Sequence, residues 1–149
     1  MRAWQWRAFA DLTPHELYSI LQLRALVFVV EQACAYNDLD GYDEASHHLF
    51  AQDADGRVIA CLRLLPPGVK YAEPSLGRVV THPDARRTGL GLELMREGLR
   101  RTAVDFPGAA IRIGAQRRLE EFYRSLGFVT ASPPYDEDGI AHVEMLRQS

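Results

Sequence analysis

The chain has 149 residues, enough for one domain with a sizeable core, and we expect a single domain over residues 1–149. Its 47% hydrophobic and 25% charged content is ordinary for a globular protein. The net charge of −3 argues against nucleic acid as the main partner, and no run approaches the ~20 apolar residues of a membrane span.

The two cysteines, Cys34 and Cys61, do not form a C-x-x-C pair. Two isolated thiols suit a reducing compartment, so we expect a cytoplasmic protein without a disulfide. Cys34 has no recognisable His/Asn context, which argues against a covalent enzyme intermediate.

The first third of the chain predicts a strand followed by a helix. Residues 1–8 read as a strand rather than a signal peptide, because Trp4, Trp6 and Ala8 alternate with polar residues. Thr13 and Glu16 form a capping box with Pro14 in the first turn, which predicts a helix start. The apolar stripe of this helix has an arginine at its edge and comprises Leu17, Ile20, Leu21, Arg24, Val27 and Phe28.

Residues 33–46 form a polar loop or short helix with four acidic side chains: Asp38, Asp40, Asp43 and Glu44. Two interpretations remain open, a rim that attracts a cationic amine and an ordinary solvated loop. We expect no metal site, because the spacing of a calcium loop is missing and His47-His48 is too short a cluster.

The rest of the chain alternates strands and helices. Strands over 48–52 and 57–65 flank a hairpin turn at 53–56, and a third strand spans 76–81. The helix over 89–104 is expected to bury Leu90, Leu94, Met95, Leu99 and Ala103. Next come a strand over 110–115 and a helix over 117–126 that stops at Gly127. They are followed by a strand from Phe128, a polar loop over 133–139 and a final strand over 140–146. This order predicts a mixed α/β layer domain, and the absent G-x-G-x-x-G fingerprint argues against a nicotinamide-binding fold.

The most informative stretch is Arg86-Arg87-Thr88-Gly89-Leu90-Gly91, which lies between a strand and a helix. Its glycines let backbone N–H groups approach a phosphate closely, and the helix dipole favours negative charge there. The stretch therefore predicts an anion site.

Three features together resemble the GNAT superfamily of acyl-CoA-dependent N-acetyltransferases. The first is the segment 79–91, which resembles the family's central strand and pyrophosphate loop. The second is Gln116 with Tyr123 and Gly127-Phe128, and the third is the order of elements. The segments 23–32, 38–43, 77–80 and 137–142 are similar to the narrower ElaA-type branch, so the resemblance covers nearly the whole chain.

The resemblance implies a mostly antiparallel, splayed sheet flanked by helices, with acetyl-CoA as the acyl donor. It implies that the backbone of the strand contacts the pantetheine arm at Val79, Val80 and Thr81. It also implies that backbone amides bind the diphosphate at Arg87, Thr88, Gly89, Leu90 and Gly91, with added charge from the side chains of Arg86 and Arg87. Gln116 stands where relatives often carry an Asn that touches the cofactor. The resemblance makes Tyr123 the general acid that protonates the departing thiolate, although its apolar helix also fits a core tyrosine.

The sequence leaves the general base and the acceptor open. The strand ahead of Tyr123 carries no acid, so the candidates are His142, Glu144, Glu31, His47, His48 and a water chain. The sequence is compatible with small amines, polyamines, peptide N-termini and lysine side chains as acceptors. It does not determine the oligomeric state, so both a monomer and a homodimer are compatible with it. The competing function is a CoA-binding sensor or interaction module with little catalysis.

Overall fold

The computed structural model describes residues 3–149, and its eight strands form two antiparallel sheets. The first sheet runs in the order β1 (Gln5–Ala8), β2 (His47–Gln52), β3 (Val58–Leu65), β4 (Ser75–Thr81). In the second sheet β8 (Ile140–Arg147) pairs with β5 (Ile111–Gln116), β6 (Val129–Thr130) and β7 (Tyr135–Glu137). The helices are α1 (Pro14–Arg24), α2 (Leu90–Asp105) and α3 (Glu120–Arg124). Met1 and Arg2 of the predicted first strand lie outside the described residues.

The start of α1 confirms the predicted capping box. The Thr13 hydroxyl accepts from the Glu16 N–H at 3.1 Å, and the Glu16 carboxylate accepts from the Thr13 N–H at 2.9 Å. The helix ends at Arg24 and continues as a π-helical segment, Ala25–Glu31. The prediction that Arg24 lies at the edge of the apolar stripe is wrong, since only 1% of this residue is exposed.

Helices cover both faces of the first sheet. Ile20 and Leu23 of α1 pack with Phe50 and Cys61, whereas Leu94 of α2 packs with the β3 leucines on the opposite face. Because successive side chains of a strand point to opposite faces of the sheet, the residues that pack against α1 alternate with those that pack against α2.

The buried face of α2 differs in part from the predicted one. Leu90, Leu94 and Met95 are buried as expected, but the stripe continues through Gly98 and Thr102 rather than Ala103, which is exposed. At Gly98 an added Cβ would lie 2.9 Å from Leu62 Cδ2, so the helix approaches β3 too closely for a larger residue. This close approach rotates the buried stripe towards the small residues.

The two sheets separate between β4 and β5. The N–H of Arg112 donates to the carbonyl oxygen of Pro74 at 3.1 Å, which joins the starts of the two strands. Beyond that point β4 carries a bulge, because Arg63 pairs with Gly77 whereas Cys61 pairs with Val80. A bulge bends its strand, and the bend opens a gap between the later halves of β4 and β5. The splayed, mostly antiparallel architecture expected from the sequence is confirmed.

Two C-terminal predictions need correction. The expected helix over 117–126 is a 3-10 turn, Arg117–Leu119, followed by the short α3. The expected polar loop over 133–139 contains β7, which forms a hairpin with β8 through Asp138 and Gly139, both at positive φ. The strand was missed because Tyr135-Asp136-Glu137 has no apolar alternation for a sequence pattern to detect.

Candidate functional site

A cleft of about 970 Å³ fills the gap between the two sheets. Val79, Val80 and Thr81 of β4 line one wall, and Gly114 and Gln116 of β5 line the other. A smaller cavity of about 180 Å³ lies against the same part of β4 and is also lined by Gly91 and Tyr123. The fold therefore brings the predicted strand residues, the start of α2 and Tyr123 around two neighbouring cavities that share part of their lining.

The loop before α2 presents unpaired backbone donors. Arg87 and Gly89 adopt positive φ angles of +63° and +81°. None of the hydrogen bonds within residues 3–149 uses the N–H groups of Arg87, Thr88 or Gly89. The amides of Leu90 and Gly91 belong to the first turn of a 16-residue helix, where no intrahelical acceptor exists. The loop geometry suits an anion, because donors and the positive end of the helix dipole converge there.

The Arg86 side chain is committed to a protein partner. Its guanidinium donates to both carboxylate oxygens of Glu31, at 2.6 and 2.8 Å. The Arg86 hydrogen bond, with its charge, lowers the pKa of Glu31 against a small opposing effect of burial. This ion pair ties the loop to the π-helical segment, and both residues line the wide cleft.

Gln116 lies at the end of β5, where its Nε2 donates to Oε1 of Gln32 at 3.2 Å. It pairs in register with His142 of β8, and both line the cleft. The amide is therefore positioned at the cleft and is held there by Gln32, the residue that follows the π-helical segment.

Tyr123 is almost fully buried, with 6% of its surface exposed. Its ring packs edge-on against Phe122 and Phe128, at centroid distances of 5.2 and 5.9 Å. Burial raises the pKa of its phenol to about 12. The side chain is therefore a neutral proton donor at physiological pH that lines both cavities.

Three of the five candidate bases lie away from the cleft lining. His47 stacks on Trp6 at 5.3 Å. His48 is 2% exposed, and its Nε2 lies 2.9 Å from the carbonyl oxygen of Asp43, which can only accept. Glu144 lies 3.1 Å from the Arg112 guanidinium. The structure does not place any of these three groups where a bound acceptor could reach it.

His142 lines the cleft, and each of its ring nitrogens lies close to an acceptor oxygen. Its Nδ1 lies 2.7 Å from the carbonyl oxygen of Ile140, so Nδ1 carries the proton. The ring stacks on Tyr135, and Nε2 lies 3.3 Å from a carboxylate oxygen of Glu137. Glu31 also lines the cleft, but its carboxylate is held by Arg86.

For the acidic segment over 33–46, both interpretations are wrong for Asp38 and Asp43, whose carboxylates are buried in ion pairs. Arg24 donates from Nε to Asp38 at 2.8 Å and from Nη1 to Asp43 at 2.7 Å. Arg63 also donates to Asp43, at 3.0 Å, and to Asp40 at 2.6 and 2.7 Å. These contacts form a network of arginines and aspartates in which Arg24, Asp38 and Asp43 are buried, and Asp40 and Arg63 line the cleft.

The network controls the charge at one end of the cleft. Burial opposes ionisation of Asp40, but hydrogen bonding and charge from Arg63 hold its pKa well below its usual range. Arg78 Nε lies 2.7 Å from Asp38 Oδ1, an ion pair by distance that lacks hydrogen-bond alignment. The signal in the sequence was an arginine at a core position of α1, which requires buried carboxylate partners.

Within residues 3–149 no group of three or more His, Cys, Asp or Glu side chains could hold a metal ion. No helix in that range is long and apolar enough to cross a membrane.

The splayed sheets, the bulged strand and the amide-lined helix start are the architecture of an acyl-CoA-dependent transferase. The chain belongs to the GNAT family, because a family model described as "Acetyltransferase (GNAT) domain" matches residues 13–148. It is therefore an acyltransferase, and proteins of this fold bind acyl-CoA and act on amines.

Similar proteins narrow the class to the ElaA-like branch. Protein ElaA of Escherichia coli is 35% identical over 150 residues, which cover 99% of this chain and 97% of ElaA. The crystal structure of Escherichia coli ElaA superposes with a TM-score of 0.92 over 99% of this chain and 100% of its own. An acyl-CoA N-acyltransferase from Pseudomonas aeruginosa is 41% identical, with a TM-score of 0.94 and 99% coverage of both chains.

Proposed function

We propose that this chain, as one domain, transfers an acetyl group from acetyl-CoA to the amine of a small molecule or peptide. Two observations carry the proposal: the gap between β4 and β5, whose lining includes Arg86, and the unpaired amides of the next residues, 87–89. A pantetheine arm in this gap would pair with the backbone of Val79, Val80 and Thr81 as an added strand. The diphosphate would lie on the amides of the loop.

The acetyl transfer is proposed to be direct, in a ternary complex. Cys61 is 2% exposed, and burial raises the pKa of its thiol to about 12, which makes it a poor nucleophile. Cys34 lines the cleft, but its Sγ donates a hydrogen bond to the carbonyl oxygen of Asp138, which requires the thiol form. These two cysteines therefore give no support to an acyl-enzyme intermediate.

Two side chains are proposed to move the protons. The acceptor ammonium must lose a proton before it attacks the thioester carbon, and Nε2 of His142 is the proposed base. The collapse of the tetrahedral intermediate breaks the C–S bond, and the Tyr123 hydroxyl protonates the thiolate. A backbone N–H near Val80 would stabilise the oxyanion between these steps.

The acceptor is proposed to bind at the end of the cleft where Tyr42, Tyr71 and Tyr135 are gathered. Tyr42 and Tyr135 line the cleft, and an added Cβ at Gly114 would lie 3.1 Å from Tyr135 Oη and 3.6 Å from Tyr71 Oη. The missing side chain at Gly114 thus lets two phenols approach β5 closely. An amine-bearing substrate fits this end, because aromatic faces attract ammonium groups.

Thermal unfolding with acetyl-CoA, CoA and NAD tests the donor. A ligand at about 100 times its dissociation constant adds ~2.7 kcal/mol, which raises Tm by roughly 5–10 °C for a chain of this size. We expect a rise with both CoA species and none with NAD. No rise at millimolar acetyl-CoA would refute the proposal.

A panel of primary amines then tests the transfer itself. Acceptor-dependent release of CoA is the expected result, measured as free thiol. If the chain binds acetyl-CoA tightly but no amine causes release of free CoA, the result would instead support a CoA-binding module.

A further inference from the structure

Lys70 is the single lysine among the 17 Lys and Arg residues of the sequence. It lies in the loop between β3 and β4 and lines the cleft. Every other cationic side chain among those residues is a guanidinium, which stays protonated and is not a nucleophile at neutral pH. The chain therefore carries one side-chain amine, at the site where acyl groups are proposed to be transferred.

The Lys70 amine lies on aromatic rings rather than on a carboxylate. Its Nζ lies 5.5 Å from the ring centroid of Tyr71 and 6.0 Å from that of Tyr42. No ion pair of Lys70 exists within the described range of the chain. A carboxylate would hold the ammonium in place, whereas two ring faces let it leave at small cost.

The Lys70 loop is also adjacent to the second wall of the cleft. Tyr71, the next residue, directs its hydroxyl to 3.6 Å from the position of a Cβ on Gly114 of β5. Gly68 stands at φ +85°, and its N–H donates to the carbonyl oxygen of Tyr71 at 2.7 Å. This tight turn places the flexible Lys70 side chain at the acceptor end of the cleft.

We propose that Lys70 is an acyl acceptor within its own chain, so that the enzyme acetylates itself at this residue. The inference rests on the proposed function, since bound acetyl-CoA is the donor. The ammonium of Lys70 releases a proton, its nitrogen bonds to the acetyl carbon, and the C–S bond breaks. The products are an acetyl-lysine amide, CoA thiol and one net proton.

Acetylation of Lys70 changes the acceptor end of the cleft. The amide has no charge, so the two contacts with the rings of Tyr42 and Tyr71 lose their electrostatic attraction. The acetylated side chain is also bulkier than lysine at this end of the cleft. We therefore expect the modified enzyme to turn over external amines more slowly.

The experiment incubates the full-length chain with acetyl-CoA in the absence of any amine and follows intact mass and peptide fragments. We expect one acetyl group per chain at Lys70, with a first-order rate that tenfold dilution of the protein leaves unchanged. Excess CoA, which competes for the donor site, should suppress the rate about tenfold or more. K70R is the matched variant, because it keeps a cation over the rings but offers no amine.

The outcomes separate this inference from the proposed function. If acetyl-CoA raises Tm in the wild type and in K70R but Lys70 stays unmodified, self-acetylation is refuted and the proposed function stands. If acetyl-CoA does not raise Tm, the proposed function fails as well. Modification that slows in proportion to dilution, or that proceeds equally in the urea-unfolded chain, is chemical acetylation and also refutes the inference.

Discussion

The buried guanidinium of Arg24 offers a sharp test of the packing behind the cleft. Arg24 donates four hydrogen bonds, to the side chain and carbonyl oxygen of Asp38 and to both carboxylate oxygens of Asp43. R24M keeps most of the side-chain volume and removes the charge. Two carboxylates then remain buried with fewer donors than they need.

Removal of one partner from a buried ion pair costs about 3–5 kcal/mol. For a chain of 149 residues, each kcal/mol lowers Tm by roughly 2–4 °C, so R24M should lower Tm by roughly 6–20 °C. Arg63 and Arg78 still neutralise part of the charge, which favours the lower half of the energy range.

R57Q is the matched control. Arg57 pairs with Asp53 at 3.1 Å, but its side chain is 53% exposed, so water screens the pair. Exposed pairs of this kind contribute about 0–1 kcal/mol. Urea unfolding of both variants at pH 7 measures the difference, and a cost for R24M as small as that for R57Q would refute the argument.

The pH dependence of R24M has a defined sign. Burial tends to raise the pKa of Asp43, but hydrogen bonding and charge, from Arg24 first and then Arg63, lower it below its ordinary value. The stabilisation from such a carboxylate is present above its unfolded pKa of about 3.9 and is lost as pH falls through the folded value. In R24M, protonation relieves the unpaired carboxylates. The stability gap between wild type and R24M should therefore be largest near pH 7 and should shrink towards pH 4.

Three further substitutions test the site directly. Y123F removes the proposed acid, so kcat should fall about 100-fold while the acetyl-CoA-induced rise in Tm is unchanged; a variant with full kcat would remove this role. H142Q has no basic nitrogen, so kcat should fall while the acetyl-CoA-induced rise in Tm is unchanged, and an unaltered kcat would assign the proton transfer to water. G89A and G41A place a Cβ at φ angles of +81° and +86° with no atom within 4 Å, so each should cost about 1–2 kcal/mol. G89A alone should reduce the acetyl-CoA-induced rise in Tm, and equal rises would show that the loop does not bind the donor.

The sequence by itself determined the features that depend on neighbours along the chain. The Thr13–Glu16 capping box, the hairpin turn at 53–56 and the glycine loop before α2 are each set within a few residues, because their hydrogen bonds and φ angles are local. The resemblance to a family supplied the order of strands and the identity of Tyr123 as a candidate acid. These elements were enough to place the cleft.

The tertiary structure alone decided which charges are buried and which base faces the cleft. Arg24 meets Asp43 across 19 residues of sequence, and Gly98 of α2 is buried against Leu62 of β3, where an added Cβ would lie only 2.9 Å from Cδ2. His142 and Glu31 line the cleft whereas His47, His48 and Glu144 do not, and His142 is placed there by its pairing with Gln116 on neighbouring strands. Each outcome depends on contacts between segments distant in sequence, and the periodicity of a single segment carries no information about its partner's position.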